Sequence, residues 1–255
     1  MTNPNQHFVI IPTFNEADNI AALINALMEI DPVVHVVVVD DNSPDGTGKI
    51  VDELAATNPR VECIHREGKG GRGAACLTGF RHALDAGAQL IFEMDADFSH
   101  NPEEIPLFLE KIKTNDMVLG SRYARGSTII NWGILRRIFS KLANMYARLF
   151  LGIPITDYTN GYRCYRRRTF DFISYGDIDA KGYIVLSEVA VQIYRKGLAI
   201  GEVPTRFVNR VRGESNLSIR EITSAFTSVL RLWWRYRGHK RPKSAPPGTV
   251  RADIS

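Results

Sequence analysis

Residues 33–39 are six valines and one histidine, and this run limits the folds available to the chain more than any other feature. A strand with one wet face alternates apolar and polar residues, whereas a continuous valine run is typical of a strand buried on both faces of a parallel sheet. Parallel neighbours need long crossover connections, which are usually helices. The run therefore predicts an α/β fold in which helices flank a mixed, mainly parallel sheet.

The rest of the first half repeats this alternation. Short apolar and β-branched runs predict further strands at residues 8–11, 61–65, 90–94 and 117–119. Between them, helical periodicity predicts helices over 74–86 and from the turn at 41–46 to about Ala56. Such an alternation is typical of an open α/β sheet, which binds ligands at the carboxyl ends of its strands.

Two of the expected helices begin with recognisable signals. We expect Asn15 to cap a helix that ends near residue 27. Glu16 and Asp18 would then lie in its first turn, where carboxylates are favourable. Asn101 followed by Pro102 predicts a second start, with the proline at the first helical position.

Length and charge narrow the class of protein. At roughly 150 residues per domain, a chain of 255 residues is expected to form one large domain with at most an appendage. Its net charge of +4 suits phosphate-bearing ligands or an anionic membrane, and gives no argument for nucleic acid. Three unpaired cysteines indicate neither a disulfide framework nor a zinc site and fit a reducing cytosol. The chain shows no signal peptide and no apolar run of about 18 residues that would span a bilayer.

The strongest chemical signal is Glu93-Met-Asp95-Ala-Asp97, at the expected end of the strand 90–94. Two carboxylates one residue apart at a strand end can turn towards one ligand. Hard oxygen ligands suit Mg²⁺ or Mn²⁺, which bind diphosphates. The same pattern also occurs as a solvated turn, so the motif depends on its context.

Polar motifs at the ends of the first two strands supply that context. They are Pro12-Thr-Phe14-Asn15-Glu16 and the acidic turn that begins with Asp40 and Asp41. Neighbouring parallel strands end at one edge of the sheet, so these motifs should lie beside the Asp95/Asp97 pair. An aromatic ring there could stack on a base and acids could read ribose hydroxyls. A helix cap and an Asx turn explain the same residues without a ligand.

The glycine-rich loop 68–73 matches G-x-G-x-x-G and leaves a second class of protein open, a dinucleotide-binding dehydrogenase. That fingerprint belongs after the first strand of its βαβ unit, where this chain has Pro-Thr-Phe-Asn-Glu instead. As a donor-binding loop it would bring backbone amides, with Lys69 or Arg72, towards phosphates. A plain flexible turn remains the alternative for these two side chains.

Five motifs together carry a resemblance to a known family: P-T-F-N-E, V-D-D-N-S-P-D-G-T, M-D-A-D-F-S-H-N-P, G-S-R-Y and G-Y-R-x-Y. In this order, over about residues 7–237, they resemble family 2 glycosyltransferases of the GT-A fold, in particular polyprenyl- or dolichyl-phosphate mannose synthases. The resemblance implies an inverting transfer of mannose from GDP-mannose to a polyprenyl phosphate, aided by Mg²⁺ or Mn²⁺. It also implies a catalytic domain over 1–237, with a nucleotide-sugar half at about 7–120 and an acceptor half at about 121–237.

The resemblance also implies roles for individual residues. The expected catalytic residues are Asp97, Arg122, Asp157 and Glu188. Among them Glu188 is expected to contact the sugar, and Asp97 is expected to be a metal ligand together with Asp95. The expected donor-binding residues are Pro12, Phe14, Glu16, Asp41, Lys69, Arg72, Asp95 and Arg210. The acceptor phosphate is expected at Arg122, Arg136 and Ser140.

Four positions depart from the family pattern or leave a role open. Phe14 stands where relatives commonly have tyrosine, which keeps stacking but loses a hydroxyl. Asn160 replaces a small residue in Asp157-Tyr-Thr-Asn-Gly-Tyr-Arg. Asn216 stands where a lysine is usual, which puts one phosphate contact in doubt, and a metal role for Ser99 stays open.

The implied chemistry needs no strong base. A polyprenyl phosphate is already ionised at neutral pH, so its oxygen can attack the anomeric carbon directly. What remains is to hold two anions together and to stabilise the leaving diphosphate. We therefore expect His65 and His100 to be structural or solvent-facing.

The long segments 129–151 and 219–236 are amphipathic, and they predict the contact with lipid. Residues 231–243 carry six Lys or Arg and no acid, which suits anionic headgroups. We expect a peripheral protein on the cytoplasmic face of a membrane, with a disordered basic tail over 238–255. A small membrane anchor or a second copy of the chain is the candidate protein partner. Packing on the sheet or in a dimer is the alternative for both helices.

Three alternatives remain for the activity. UDP-glucose or another donor could replace GDP-mannose, and a polysaccharide could replace the lipid acceptor. A module that binds a nucleotide or lipid without turnover is disfavoured by the intact Asp95/Asp97 motif.

Overall fold

The computed structural model describes residues 6–68, 70–174, 184–208, 219–239 and 241–242. The strands are β1 His7–Thr13, β2 Val34–Asp40, β3 Val61–His65, β4 Leu90–Glu93, β5 Met117–Ser121, β6 Thr128–Ile130, β7 Arg163–Arg166, β8 Ile200–Pro204 and β9 Arg206–Val208. The α-helices are α1 Ala17–Ile30, α2 Thr47–Ala55, α3 Arg72–Asp85, α4 Ile105–Ile112, α5 Ile134–Leu151, α6 Ile184–Arg195 and α7 Ile219–Tyr236. Short 3₁₀ turns lie at Pro102–Glu104 and Arg167–Phe172.

Seven strands form one sheet in the order β3-β2-β1-β4-β7-β5-β8, and β6 pairs with β9 in a separate ribbon. Within the sheet, β7 is antiparallel to both of its neighbours, and the other pairs are parallel. The prediction of a mixed, mainly parallel sheet flanked by helices is confirmed. The sequence patterns did not predict β7, β8 or β9.

The valine strand β2 is buried on both faces, as its composition predicts. Val37 and Val39 point into one apolar core, which they share with Phe80 of α3. Val36 and Val38 point into the core on the opposite face. Successive side chains of a strand alternate between the faces of a sheet, so a strand between two helical layers needs apolar residues at every position.

The start of α1 differs from the prediction. Asn15 adopts a left-handed conformation with φ of 62°, and Glu16 is the cap residue of a helix that continues to Ile30. The first amides are satisfied by the neighbouring loop, because Ala17 N donates to Asp45 Oδ2 at 3.0 Å. The Asn15 cap is therefore wrong, whereas Asp18 does lie in the first turn.

The start predicted at Asn101 is confirmed in a modified form. Its side chain accepts a hydrogen bond from Glu103 N at 3.2 Å, with Pro102 at the first position. The turn that it begins is the 3₁₀ segment Pro102–Glu104, and α4 follows directly.

The second half places its two amphipathic helices side by side. The segment predicted to be helical from 129 is divided: its first residues form β6, Asn131 has φ of 59°, and α5 begins at Ile134. The helix α7 has the expected bounds and packs against α5 and α6. Residues 240 and 243–255 of the expected basic tail lie outside the described residues.

Candidate functional site

The ends of β1, β2 and β4 meet at one edge of the sheet, as the motifs predict. Thr13 Oγ1 donates to Asp40 Oδ1 at 2.8 Å, and Asp41 N donates to Thr13 O at 3.0 Å. Met94 N donates to Ile10 O at 3.2 Å, which continues this edge to the strand that precedes the Asp95/Asp97 motif. The three polar motifs therefore form one surface.

Asp95 and Asp97 follow β4 in a tight turn, in which Phe98 has φ of 57°. Asp95 Oδ1 accepts from Arg72 Nε at 2.8 Å, and Asp97 Oδ1 accepts from Ser99 N at 3.1 Å. The Asp95 side chain is 28% exposed, so solvent reaches it. Two carboxylates at an open strand end are the oxygen donors that Mg²⁺ or Mn²⁺ prefers, and these residues fit such an ion.

Arg72, the first residue of α3, connects this motif to a buried acid. Its Nη1 lies 2.6 Å from Glu93 Oε1. Glu93 is 1% exposed and also accepts from Cys76 Sγ at 3.3 Å and from the Tyr165 hydroxyl at 3.2 Å. Burial opposes the charge of Arg72, but the carboxylates of Asp95 and Glu93 raise its pKa above the ordinary value. Arg72 is thus a permanently charged group beside the predicted metal ligands.

His100 joins the Asp95 loop to the second half of the chain. Its Nδ1 accepts from Asp95 N at 3.0 Å and its Nε2 lies 2.8 Å from Asn160 Oδ1. The imidazole must therefore carry its proton on Nε2, and burial lowers its pKa, which favours this neutral form. His100 is structural, as expected. The contact also gives a reason for Asn160, which stands where the family has a small residue. Its Oδ1 pairs with His100, and its Nδ2 donates to Gly120 O at 2.8 Å.

The expected nucleotide surface contains both exposed and satisfied groups. Phe14 is 36% exposed at the end of β1, beside the half-buried Pro12. Glu16 Oε2 accepts from Asn19 Nδ2 at 3.0 Å. Asp41 is buried, with Oδ1 2.5 Å from Arg66 Nη1 and Oδ2 accepting from Gly71 N at 3.0 Å. Asp41 therefore ties the end of β2 to the glycine-rich loop.

That loop follows β3, which is an edge strand of the sheet. The Rossmann fingerprint instead follows the first, central strand of its unit, so the topology gives the dehydrogenase alternative no support. Gly71 has φ of 84°, a conformation that favours glycine, immediately before Arg72 begins α3. Lys69 lies outside the described residues, as does Arg210.

On the acceptor side, Arg122 and Asp157 form a two-pronged ion pair. Arg122 Nε lies 2.7 Å from Oδ2 and Nη2 lies 2.8 Å from Oδ1. Arg122 N also donates to Oδ2 at 3.1 Å, and Nη2 donates to Thr159 Oγ1 at 2.6 Å. Burial alone raises the pKa of Asp157, but the Arg122 guanidinium holds it below its usual range. Asp157 is therefore a fixed anion.

Trp132 lies between two arginines, and the motif analysis did not find it. Its ring centroid is 5.1 Å from Arg122 Cζ and 4.4 Å from Arg136 Cζ. The ring is buried and packs edge-on against Phe207 at 5.3 Å. The signal in the sequence that could have identified Trp132 was its position four residues before Arg136, within the segment predicted to be helical. Ser140, one turn after Arg136, is half-buried like that arginine, so the expected shared face exists.

Glu188 is fully buried on α6. Its Oε1 lies 2.5 Å from Arg235 Nη1 and 3.3 Å from the Tyr236 hydroxyl, both on α7. These contacts tie α6 to the C-terminal helix. The expected contact of Glu188 with a sugar stays a prediction.

A second group of metal-type side chains lies on β3 and α2. Ligand atoms of Asp52, Cys63 and His65 lie within 4.8 Å of one another. Burial, reinforced by neighbouring acids, raises the pKa of Cys63 to about 12, so its thiol keeps its proton. His65 Nε2 already contacts Asp52 Oδ1 at 3.0 Å, and both side chains are more than half exposed. This group is better explained as a surface ion pair beside a thiol.

An apolar surface covers the outer sides of α5 and α7. On α5 the exposed apolar residues are Ile134, Leu135, Ile138, Phe139, Leu142, Met145 and Leu149. On α7 they are Phe226, Leu230, Trp233 and Trp234. Arg237 stacks on Trp234, with Cζ 3.3 Å from a ring centroid. In the described part of the chain no helix has the length and apolar content needed to cross a bilayer.

Comparison with known proteins places these features in a family. Residues 8–173 match the family model for glycosyl transferase family 2. The chain is 42% identical over 232 residues to polyprenol monophosphomannose synthase of Mycolicibacterium smegmatis, covering 90% of this chain and 87% of that protein. It is 41% identical over 222 residues to undecaprenyl-phosphate mannosyltransferase of Micrococcus luteus, covering 87% of this chain and 91% of that protein.

Solved structures confirm the fold. Glucosyl-3-phosphoglycerate synthase from Mycobacterium tuberculosis, in complex with Mn²⁺, UDP and glucosyl-3-phosphoglycerate, superposes with a TM-score of 0.63 at 18% identity. The match covers 96% of this chain and 82% of that one. A further mycobacterial protein matches with a TM-score of 0.64 at 19% identity, over 91% of this chain and 75% of that one.

Proposed function

The chain belongs to glycosyl transferase family 2, and from this premise we propose that it transfers mannose from GDP-mannose to a polyprenyl phosphate at a membrane surface. The two curated relatives, at 41–42% identity over most of the chain, are named as mannosyltransferases of a polyprenol or undecaprenyl phosphate. The observation that carries the proposal is one hydrogen bond, 2.8 Å from His100 Nε2 to Asn160 Oδ1. It joins the Asp95/Asp97 turn to the loop that holds Asp157, the partner of Arg122.

The donor occupies the edge formed by β1, β2 and β4. Phe14, exposed beside Pro12, stacks on the base, and Glu16 faces the ribose. Asp95 and Asp97 would hold a divalent cation, Mg²⁺ or Mn²⁺, and the cation would supply positive charge to oppose the charge of the leaving diphosphate. Arg72 adds a permanent positive charge on the same side of the diphosphate.

Asp41 acts through the glycine-rich loop, which it holds by accepting a hydrogen bond from Gly71 N. Lys69 and Arg210 provide further phosphate contacts.

The acceptor phosphate binds between Arg122 and Arg136, with Ser140 as a hydroxyl donor. Guanidinium groups suit phosphate oxygens because their planar forks offer several parallel N–H donors. Trp132 holds both guanidiniums at its ring, and Asp157 fixes the orientation of Arg122. Glu188 contacts the sugar or, through Arg235, sets the position of α7.

The reaction is a direct displacement. A phosphate oxygen of the polyprenyl phosphate forms the bond to the anomeric carbon, and the bond from that carbon to the β-phosphate oxygen breaks. The electron pair leaves with GDP. Because the attack is a single displacement on the face opposite the leaving group, the configuration inverts. The attacking oxygen is already ionised, and no described side chain has to remove a proton. The protein contributes by positioning two anions and by opposing their charge.

The apolar surface of α5 and α7 contacts the membrane. It presents Leu135, Phe139 and Leu149 on α5 with exposures of 68%, 58% and 78%, beside the tryptophans and arginines of α7. Aromatic and basic residues together suit the headgroup layer, and an exposed apolar area of this kind marks an interaction site. Arg136 lies on the same helix, so the lipid phosphate reaches it from the bilayer. The enzyme acts on the cytoplasmic face, where a membrane anchor or a second copy of the chain could add to the attachment.

The test is transfer of labelled sugar to a short polyprenyl phosphate in the presence of Mg²⁺, with GDP-mannose and UDP-glucose in parallel. Labelled lipid from GDP-mannose supports the proposal, and label only from UDP-glucose would change the sugar and keep the mechanism. Asp97→Ala is expected to abolish transfer with an unchanged circular dichroism spectrum. Asp85 is an exposed acid at the end of α3, and Asp85→Ala is expected to keep the transfer activity. Product from neither donor would overturn the acceptor assignment.

A further inference from the structure

One guanidinium, that of Arg72, serves two carboxylates in different surroundings. Its Nη1 contacts the buried Glu93 at 2.6 Å, and its Nε contacts Asp95 at 2.8 Å. The Glu93 side chain is 2% exposed and that of Asp95 is 28% exposed. Only the second carboxylate is therefore accessible to a ligand from solvent.

Glu93 is held in place independently of Arg72. The thiol of Cys76 and the hydroxyl of Tyr165 donate to its two oxygens at 3.3 Å and 3.2 Å. The carboxylate thus receives three donors in a buried site, and it compensates the charge of Arg72. The Glu93 position, two residues before Asp95, places this charge directly behind the predicted metal ligands.

Arg72 is also prevented from turning away. A Cβ atom added at Gly161 would lie 2.2 Å from Arg72 Nη2. The guanidinium therefore packs directly on the backbone of the loop that holds Asp157 and Gly161. Nη2 itself is buried and has no hydrogen-bond partner among the residues that the structure describes. The guanidinium therefore stays between Glu93, Asp95 and Gly161, and its interaction with Asp95 depends on how well Glu93 compensates its charge.

We propose that Glu93 is a positioning residue that balances the charge of Arg72 and thereby sets the affinity of Asp95 for the divalent cation. The inference rests on the proposed function of Asp95 as a metal ligand. With Glu93 ionised, the Arg72–Glu93 pair is neutral and Asp95 keeps its charge for the cation. Without that charge, Arg72 and the cation compete for Asp95, and a net positive charge lies beside the site.

The experiment measures Mn²⁺ binding directly, by the loss of the free-ion electron paramagnetic resonance signal on titration of the protein without nucleotide, because Arg72 would also act on a diphosphate. Glu93→Gln keeps the shape of the side chain and removes its charge. It is expected to weaken Mn²⁺ binding by about tenfold or more, the effect typical of a lost outer-shell partner. Arg72→Gln is expected to bind Mn²⁺ at least as tightly as the wild type. The double variant restores neutrality and is expected to bind within about threefold of the wild type.

Asp116→Asn is the matched control. Asp116 is also a buried acid paired with an arginine, Arg168, but it lies at the amino end of β5, before the first strand residue. It is expected to leave Mn²⁺ binding unchanged. Thermal unfolding of each variant identifies any that fail to fold, and the double variant keeps the cycle interpretable, because restored neutrality removes the buried unpaired charge.

The outcomes separate the two claims. If the wild type does not bind Mn²⁺, the metal site of the proposed function is wrong and the inference goes with it. If the wild type binds Mn²⁺ and Glu93→Gln binds equally well, the metal site stands and the inference is overturned. Equal weakening in Glu93→Gln and in the double variant would also overturn it, because the effect would then not pass through Arg72.

Discussion

Arg122 and Asp157 are 35 residues apart in the chain and meet in a two-pronged ion pair, with Nε to Oδ2 at 2.7 Å and Nη2 to Oδ1 at 2.8 Å. Both were expected among the catalytic residues, but their contact assigns them different tasks. Asp157 is a buried anion whose oxygens are used by Arg122. Arg122 is thereby aligned against Trp132, where a second arginine also stacks. In the proposed function the pair is a preformed half of the acceptor-phosphate site.

We expect Asp157→Asn to weaken acceptor binding selectively. The amide keeps the shape but loses the charge and one acceptor, so the Arg122 fork is no longer held. The KM for polyprenyl phosphate should rise by about tenfold, the effect of roughly 1.4 kcal/mol, with the KM for the donor unchanged. Initial rates with each substrate varied in turn measure this. A rise confined to the donor KM would contradict the acceptor assignment.

Substitutions of Trp132 measure how much its ring contributes to acceptor binding, apart from the ion pair of Arg122 with Asp157. Trp132→Leu removes the ring from both guanidiniums, whereas Trp132→Phe keeps a weaker stack. Each cation–π contact is worth about 0.5–2 kcal/mol, so the leucine variant should raise the acceptor KM by about tenfold and the phenylalanine variant by less. The same rate measurements apply, with Mn²⁺ binding as the control that should not change. Equal losses in the two variants would show that the ring is not stacking on the arginines.

Glu104 predicts a pH dependence of stability. It is 8% exposed, and its Oε1 accepts from Arg206 N at 2.6 Å. Its Oε2 is buried and has no hydrogen-bond partner within the described part of the chain. Burial raises its pKa from 4.5 to about 7. For an acid whose folded pKa is raised, the stability it contributes is present below the unfolded pKa and is lost as pH rises towards the folded pKa.

Glu104→Gln should therefore match the wild type near pH 4 and become relatively more stable from about pH 4.5 to 7. At pH 8 the gain is about 3 kcal/mol, from about 1.4 kcal/mol for each pKa unit. Urea unfolding across this range measures the difference. Glu103→Gln, at the exposed neighbouring position, is the control and should show no such trend. A constant difference at every pH would contradict the raised pKa.

The apolar surface of α5 predicts binding to vesicles. Leu135→Ser with Leu149→Ser removes two of its most exposed apolar side chains. Each leucine buried in lipid contributes about 1.5–3 kcal/mol at most. The partition coefficient onto anionic vesicles, measured by sedimentation, should therefore fall by at least tenfold. Leu107→Ser on α4 also removes a half-exposed leucine, from a different surface, and should sediment like the wild type. Unchanged sedimentation of the double variant would place the membrane contact elsewhere.

The local part of the fold could be read from the sequence. The valine-rich run predicted a strand with two buried faces, and the bounds of β3 and α7 agree with the predicted segments. The Asp95/Asp97 motif was expected at a strand end, and it follows β4 directly. These features depend on side-chain periods of two and 3.6 residues and on the residues next to a strand end, which are visible within a short window.

Long-range contacts could not be read in this way. Asn15 is a favourable cap residue, yet Asp45 of the next loop and Thr47 at the start of α2 accept from the amides at the start of α1. Asn15 takes another conformation. The short strand β7 was missed because four residues carry too little periodicity, and its place between β4 and β5 is set by pairing across the sheet.

The sequence by itself determined most of the elements of the first half, the sheet class and the types of residue at the strand ends. Only the tertiary structure decided their partners: Arg72 with Glu93 and Asp95, His100 with Asn160, and Arg122 with Asp157 and Trp132. A periodic pattern depends on neighbours within a few residues. The partner of a charge depends instead on which distant loops the folded chain brings within hydrogen-bond reach, and on the burial that makes an unpaired charge too costly to keep.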